Sequence, residues 1–214
     1  MKSTDQNLSI TLETRISMGY RTYLPENYSE SGDPIPMLFF MHGSGERGNN
    51  LDYLERHTLP RFLKEGLELP FVVVCPQCEH MWDAHALDRV LDEAIEQYHV
   101  DPSRVYLTGN SLGGLGTWML ANVASHKLAA IVPVCPPAVA INPKNFINLP
   151  TWVVHGAMDS EVAIGESVKM VRALRNAGCQ VKFTVHADLD HDTWTPTYHD
   201  PEFVTWLRSH QRTQ

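Results

Sequence analysis

Two short runs in the chain, residues 37–41 (MLFFM) and 71–75 (FVVVC), are apolar at every position, the pattern of strands covered on both faces. Further β-rich runs at 104–108, 130–135, 151–155 and 180–186 predict four more strands. An opening pair at 8–16 and 18–24 predicts a hairpin-like edge closed by Pro25. Between them, apolar residues recur at helical spacing over 51–64 (broken at Pro60), 84–98, 112–125, 162–177 and near 201–209. Gly178 stands just past the fourth of these helices, where a C-terminus takes a glycine. Strands alternating with helices predict an α/β fold with a largely parallel central sheet and helices on both faces. The run 136–150 is rich in Pro and Asn and too short for a folded lid domain. No repeat or Gly/Ser linker interrupts the pattern, so one domain over residues 1–214 is expected.

Composition narrows the class of partner. The 214 residues are 43% hydrophobic and 20% charged, which excludes disorder and coiled coil. Seventeen Lys and Arg against 25 Asp and Glu give a net charge of −8, spread along the chain, so a nucleic-acid backbone would be repelled. The apolar runs are far too short to span a bilayer, and the N-terminus has no apolar signal region. A cytoplasmic protein without a membrane partner is the expectation, unless a leader precedes this chain.

The cysteines are Cys75, Cys78, Cys135 and Cys179, expected as reduced thiols. Cys75 and Cys78 form the motif CPQC, but a redox role needs an acidic thiol and a zinc site needs a second ligand pair, which the chain lacks. A buried strand end followed by a loop thiol accounts for the pair.

The chemistry concentrates at Gly109-Asn110-Ser111-Leu112-Gly113, a G-x-S-x-G pattern between a predicted strand and a predicted helix. There the chain must turn sharply and push the serine hydroxyl above the sheet, and the glycines relieve the crowding. A serine needs a histidine to take its proton and a carboxylate to orient that histidine. Asp159 follows the strand at 151–155, and His191 follows the strand at 180–186. The order Ser111, Asp159, His191 is that of α/β-hydrolases. Glu161 competes with Asp159 as the acid, and His186, His199 and the Asp188, Asp190, Asp192 cluster compete for the role or surroundings of His191. An oxyanion needs backbone N–H donors, for which Leu112 and Ser44, in the glycine-rich loop 42–48, are the candidates. His42 is expected to shape that loop. Glu46, Gln77 and Trp82 are candidate substrate contacts, lying in loops at the C-terminal edge of the sheet. No metal or organic cofactor is expected.

The stretches HGSGERG at 42–48, VVVCPQC at 72–78, DPSRVYLTGNSLGG at 101–114, HGAMD at 155–159 and DHDTWTPTY at 190–198 resemble an α/β-hydrolase group. It comprises serine esterases and predicted peptidases related to dienelactone hydrolases, feruloyl esterases and polyhydroxyalkanoate depolymerases. The resemblance runs from about Tyr23 to Leu207 and implies Ser111 as nucleophile, Asp159 as orienting acid and His191 as base. Asn110 and Leu112 depart from it, since similar proteins often have an apolar residue before the serine and Met or Gln after it. The reaction expected is hydrolysis of a small ester, short-chain or aryl, through an acyl-enzyme. A prolyl-oligopeptidase-like peptidase and a non-catalytic scaffold are the alternatives, and a homodimer is left open.

Overall fold

The computed structural model describes residues 3–10 and 17–212. Among the described residues, seven strands form one sheet: β1 (Tyr20–Tyr23), β2 (Ile35–Met41), β3 (Val72–Pro76), β4 (Val100–Asn110), β5 (Ala130–Val134), β6 (Thr151–Gly156) and β7 (Val181–His186). Their spatial order is β1-β3-β2-β4-β5-β6-β7. Every neighbouring pair is parallel except β1, which runs antiparallel to β3 at one edge. Helices α1 (Leu59–Lys64), α2 (Ala84–Gln97), α3 (Leu112–Ala124) and α4 (Gly165–Asn176) lie between strands, and α5 (Trp194–His199) and α6 (Pro201–Arg208) follow β7. This is the α/β-hydrolase architecture.

Side chains alternate across the pleat, and the two faces of the sheet feed two separate cores. From β2, Met37, Phe39 and Met41 join Leu91, Trp118 and Leu174 of α2, α3 and α4. Leu38 and Phe40 point the other way, to Leu59 and Phe62 of α1 and to Tyr198, Phe203 and Leu207 of α5 and α6. Both faces of β2 and β3 are therefore buried, which is why their sequences show no polar alternation.

Two expected elements differ from those observed, and one observed helix was not expected. Residues 8–10 of the expected opening strand at 8–16 carry no strand, and 11–16 lie outside the described residues; among the described residues the edge strand there is β1. The expected helix over 51–64 divides into a 3-10 helix Leu51–Glu55 and α1, with Pro60 in the first turn of α1. The break thus falls ahead of the proline, because Pro is tolerated where a helix's first N–H groups have no partner. The same tolerance explains α5, which the sequence reading missed: Pro196 lies in its first turn.

All the loops that follow β2, β3, β4, β5, β6 and β7 leave by one edge of the sheet, except that antiparallel β1 enters there. The register sets Met41 beside Gly109 and Asn110 beside Val134, so the loop after β2 and the turn after β4 emerge side by side. Among the described residues, no helix is long and apolar enough to cross a membrane.

Candidate active site

Ser111 is the only residue between β4 and α3, and its backbone takes φ 54° and ψ −118°. A side chain in this region costs about 1–3 kcal/mol and persists only where the surroundings enforce it. They do so here. The Ser111 N–H donates to the Val134 carbonyl at 2.9 Å, and the Leu115 N–H donates to the Ser111 carbonyl at 3.1 Å. A Cβ on Gly113 would overlap the Met41 carbonyl oxygen, and one on Gly109 would lie 2.7 Å from that oxygen and overlap Gly113. Both glycines of the motif are thus required by the close passage of β2, β4 and α3.

His191 and Asp159 arrive from the loops after β7 and β6. The Ser111 Oγ lies 2.9 Å from His191 Nε2, and His191 Nδ1 lies 2.8 Å from Asp159 Oδ2. A carboxylate only accepts, so Nδ1 carries the proton and Nε2 is left to accept from the serine hydroxyl. The carboxylate of Asp159 is fully buried and its other oxygen accepts the N–H groups of Glu161 at 3.0 Å and Val162 at 2.8 Å. His191 keeps 19% of its side chain exposed, with its ring edge-on to Trp194. Asp190 accepts from the backbone N–H groups of Ser160 and His191, joining the two loops. Those bonds, led by the one from Ser160, hold the Asp190 carboxyl below the usual carboxylate range. Asp192 similarly accepts from Thr195. Glu161, the competing acid, gives its backbone N–H to Asp159.

A residue that the sequence reading did not single out supports Asp159 from below. The His155 ring is fully buried, with Nε2 3.2 Å from Asp159 Oδ2 and 2.8 Å from the Val162 carbonyl. Nε2 therefore carries the proton, and Nδ1 accepts from the Ser167 hydroxyl at 2.6 Å. Burial pulls its pKa below the ordinary histidine value. The signal was present in HGAMD, where His155 and Asp159 stand four residues apart across the end of β6.

The loop after β2 forms the neighbouring wall. His42 donates from Nδ1 to the Gly43 carbonyl at 2.6 Å and accepts the Cys78 N–H on Nε2 at 3.1 Å. Burial lowers its pKa to about 4, which keeps it neutral for both bonds. Ser44, exposed, opens a 3-10 turn, Ser44–Glu46, and Leu112 opens α3. The first N–H groups of a helix have no partner within it, so both stand at the kind of position that leaves a donor free.

Glu46, Gln77 and Trp82, expected as substrate contacts, turn inward instead, at 1%, 4% and 3% exposure. Gln77 donates to the Glu46 and Asn50 carbonyls, tying the loops after β2 and β3 together. Trp82 packs on the His42 ring, 4.6 Å between centroids, and fills the space left by Gly116. These side chains build the wall and do not line its outer surface.

Cys75 and Cys78 are buried free thiols, and burial pushes both upward, Cys78 to about 12, the reverse of what redox chemistry needs. Cys135 sits behind the site, and ligand atoms of Cys135, Asp159 and His191 lie within 4.8 Å of one another. Burial pushes the Cys135 thiol up to about 12, so it stays protonated and is a poor metal ligand, while Asp159 and His191 are bonded to each other.

The chain is 29% identical over 146 residues to a bifunctional acetylxylan esterase/xylanase, XynS20E, of Neocallimastix patriciarum, a match covering 64% of the chain and 21% of that protein. The chain thus spans about a fifth of the length of this curated relative. A solved thermostable esterase superposes with a TM-score of 0.76 at 26% identity, over 91% of this chain and 60% of that one. Esterase PE8 shares the fold, with a TM-score of 0.62 at 18% identity over 91% of this chain and 99% of its own. Residues 74–198, which run from β3 through Ser111, Asp159 and His191 to α5, match the Dienelactone hydrolase family, and the chain belongs to it.

Proposed function

We propose that the protein is a serine hydrolase of carboxylic esters, with Ser111 as nucleophile, His191 as base and Asp159 as the group that orients it. The observation that carries this reading is the continuous line of hydrogen bonds from Ser111 Oγ through the His191 ring to the buried Asp159 carboxylate. His191 Nε2 takes the hydroxyl proton as Ser111 Oγ attacks the ester carbonyl. The carbonyl oxygen becomes an oxyanion, held by the N–H groups of Ser44 and Leu112, each donor contributing about 3 kcal/mol. His191 then gives its proton to the departing alcohol, leaving the acyl group on Ser111. Water, deprotonated by His191, attacks the acyl-enzyme, and as the bond to Ser111 Oγ breaks His191 returns the proton to that oxygen and the carboxylic acid leaves. Asp159 stabilises the imidazolium that forms at both stages.

Short-chain or aryl esters are the substrates this reading favours. The segment 136–150 forms a loop with one 3-10 turn, Pro143–Phe146, whose Phe146 and Leu149 are buried in the core rather than folded over the site. Two relatives carry names of ester chemistry, the bifunctional acetylxylan esterase/xylanase and the thermostable esterase. A fluorophosphonate probe tests the nucleophile: adduct mass on the peptide containing Ser111, absent in Ser111→Ala, is the expected result. A folded wild-type protein that takes up no probe contradicts the proposal.

A further inference from the structure

Glu46 is a carboxyl group in an unusual place. It ends the 3-10 turn that Ser44 begins, and it is 1% exposed. Its Oε1 accepts from the Thr58 hydroxyl at 3.0 Å. Its Oε2 faces the Gly43 backbone, 3.6 Å from where a Cβ on that glycine would stand. The Asn110 side-chain nitrogen lies 3.0 Å from the same point, and Asn110 Oδ1 is buried without a hydrogen-bond partner. The carboxyl group is thus enclosed between Thr58, the residue before α1, the oxyanion loop and the residue preceding Ser111.

No cation neutralises it. Among the described residues Glu46 enters no ion pair, although four basic side chains lie on the neighbouring stretches of chain. Arg47, on the same loop, turns its guanidinium to the carbonyls of Ser44 and His80. Arg56, beyond the next 3-10 helix, lies over the Tyr53 ring at 3.4 Å, and its charge, acting without contact, is the least of the influences on the carboxyl. His57 meets Gly45 through a ring carbon, and His42 is held neutral by burial. The hydroxyl of Thr58 and the amide of Gln77 complete the surroundings and carry no charge.

We infer that Glu46 is a positioning residue of the oxyanion loop that works only while it carries its proton, so that catalysis falls as this carboxyl ionises. The inference rests on the ester-hydrolase reading. An unpaired carboxylate buried beside the turn that begins at Ser44 opposes the negative charge gathering on the substrate oxygen, because a low-dielectric interior screens like charges poorly. The neutral acid does not oppose it, and it keeps the hydrogen bond that Oε1 accepts from Thr58. Burial raises the pKa of Glu46 to about 7, which brings this change into the working range of a histidine base.

The test is the pH dependence of kcat and KM for p-nitrophenyl acetate, from pH 5 to 9.5, with Ser111→Ala as the blank. Wild type loses about tenfold in kcat, with KM little changed, between pH 7 and pH 9. Glu46→Gln, an isosteric neutral side chain, stays level over that interval. Thr58→Val removes a hydrogen bond that favours the ionised form and moves the alkaline fall to higher pH. An alkaline fall of the same position and depth in Glu46→Gln, or no fall in wild type, overturns the inference. Should Glu46→Gln not fold, an unmoved fall in Thr58→Val overturns it and a shifted one supports it. Absence of any Ser111-dependent turnover contradicts the ester-hydrolase reading, and the inference with it.

Discussion

His155 Nε2 lies 3.2 Å from Asp159 Oδ2, the same oxygen that His191 Nδ1 meets at 2.8 Å. One carboxylate oxygen therefore faces two imidazole rings, one fully buried and one at the surface of the site. The buried ring is fixed by the Ser167 hydroxyl and the Val162 carbonyl, so its position is set by α4 and by the loop after β6. Asp159 is held in place by that ring and by two backbone N–H groups, and through it the orientation of His191 is set.

Replacing His155 with Leu leaves the Ser167 hydroxyl and the Val162 carbonyl without their buried partner, at a cost of about 2 kcal/mol in stability. Loosening Asp159 lowers kcat about tenfold with little change in KM, since 1.4 kcal/mol of lost transition-state stabilisation is a factor of ten. Chemical denaturation and steady-state kinetics on the same preparation check both. Full kcat in a destabilised variant would show that His155 serves the fold alone.

Two glycine substitutions separate steric need from mere flexibility. Gly113→Ala drives a methyl group into the Met41 carbonyl, with the His42 carbonyl 2.7 Å from the same carbon, and backbone cannot yield as a side chain can. Its stability falls by more than about 3 kcal/mol. Gly165→Ala, at the first residue of α4 with nothing within 4 Å of the new carbon, leaves stability unchanged or raises it by up to about 1 kcal/mol. Thermal unfolding of the pair measures the contrast.

His42 predicts an acid limb of stability. Its pKa is about 4 in the fold against 6.5 for an ordinary histidine. Below pH 6.5 the unfolded chain takes up a proton that the folded chain refuses, so stability present above pH 6.5 is lost as the pH falls toward 4. The loss is on the order of 3 kcal/mol. Unfolding of wild type and His42→Gln across pH 7 to 4 tests it. The wild-type slope is the steeper, and equal slopes would contradict the assignment.

The strands and the largely parallel sheet around the site were legible because full burial of β2 and β3 on both faces leaves continuous apolar runs in local composition. The turn at Ser111 was legible for a related reason, since only glycine fits where a helix passes against two strand ends. The inward orientation of Glu46 and Gln77 was not. Whether a loop glutamate faces solvent depends on partners brought in by folding: Thr58 lies 12 residues on, and Gln77, which holds the Glu46 carbonyl, lies 31 residues on. No local pattern encodes such a bond. The α5 helix was hidden by its own residues, a Thr-Pro pair that reads as a turn until the proline is seen in a first turn.

The central claim is that Ser111 does the chemistry on esters. Hydrolysis of p-nitrophenyl acetate, butyrate and octanoate, beside a feruloyl ester and an aminoacyl anilide, by wild type and Ser111→Ala tests it most directly. The account predicts turnover of the short and aryl esters, at least about 10³-fold lower in kcat for the variant, with unchanged folding by circular dichroism. Equal ester turnover by both proteins, or turnover of the anilide alone, would contradict it.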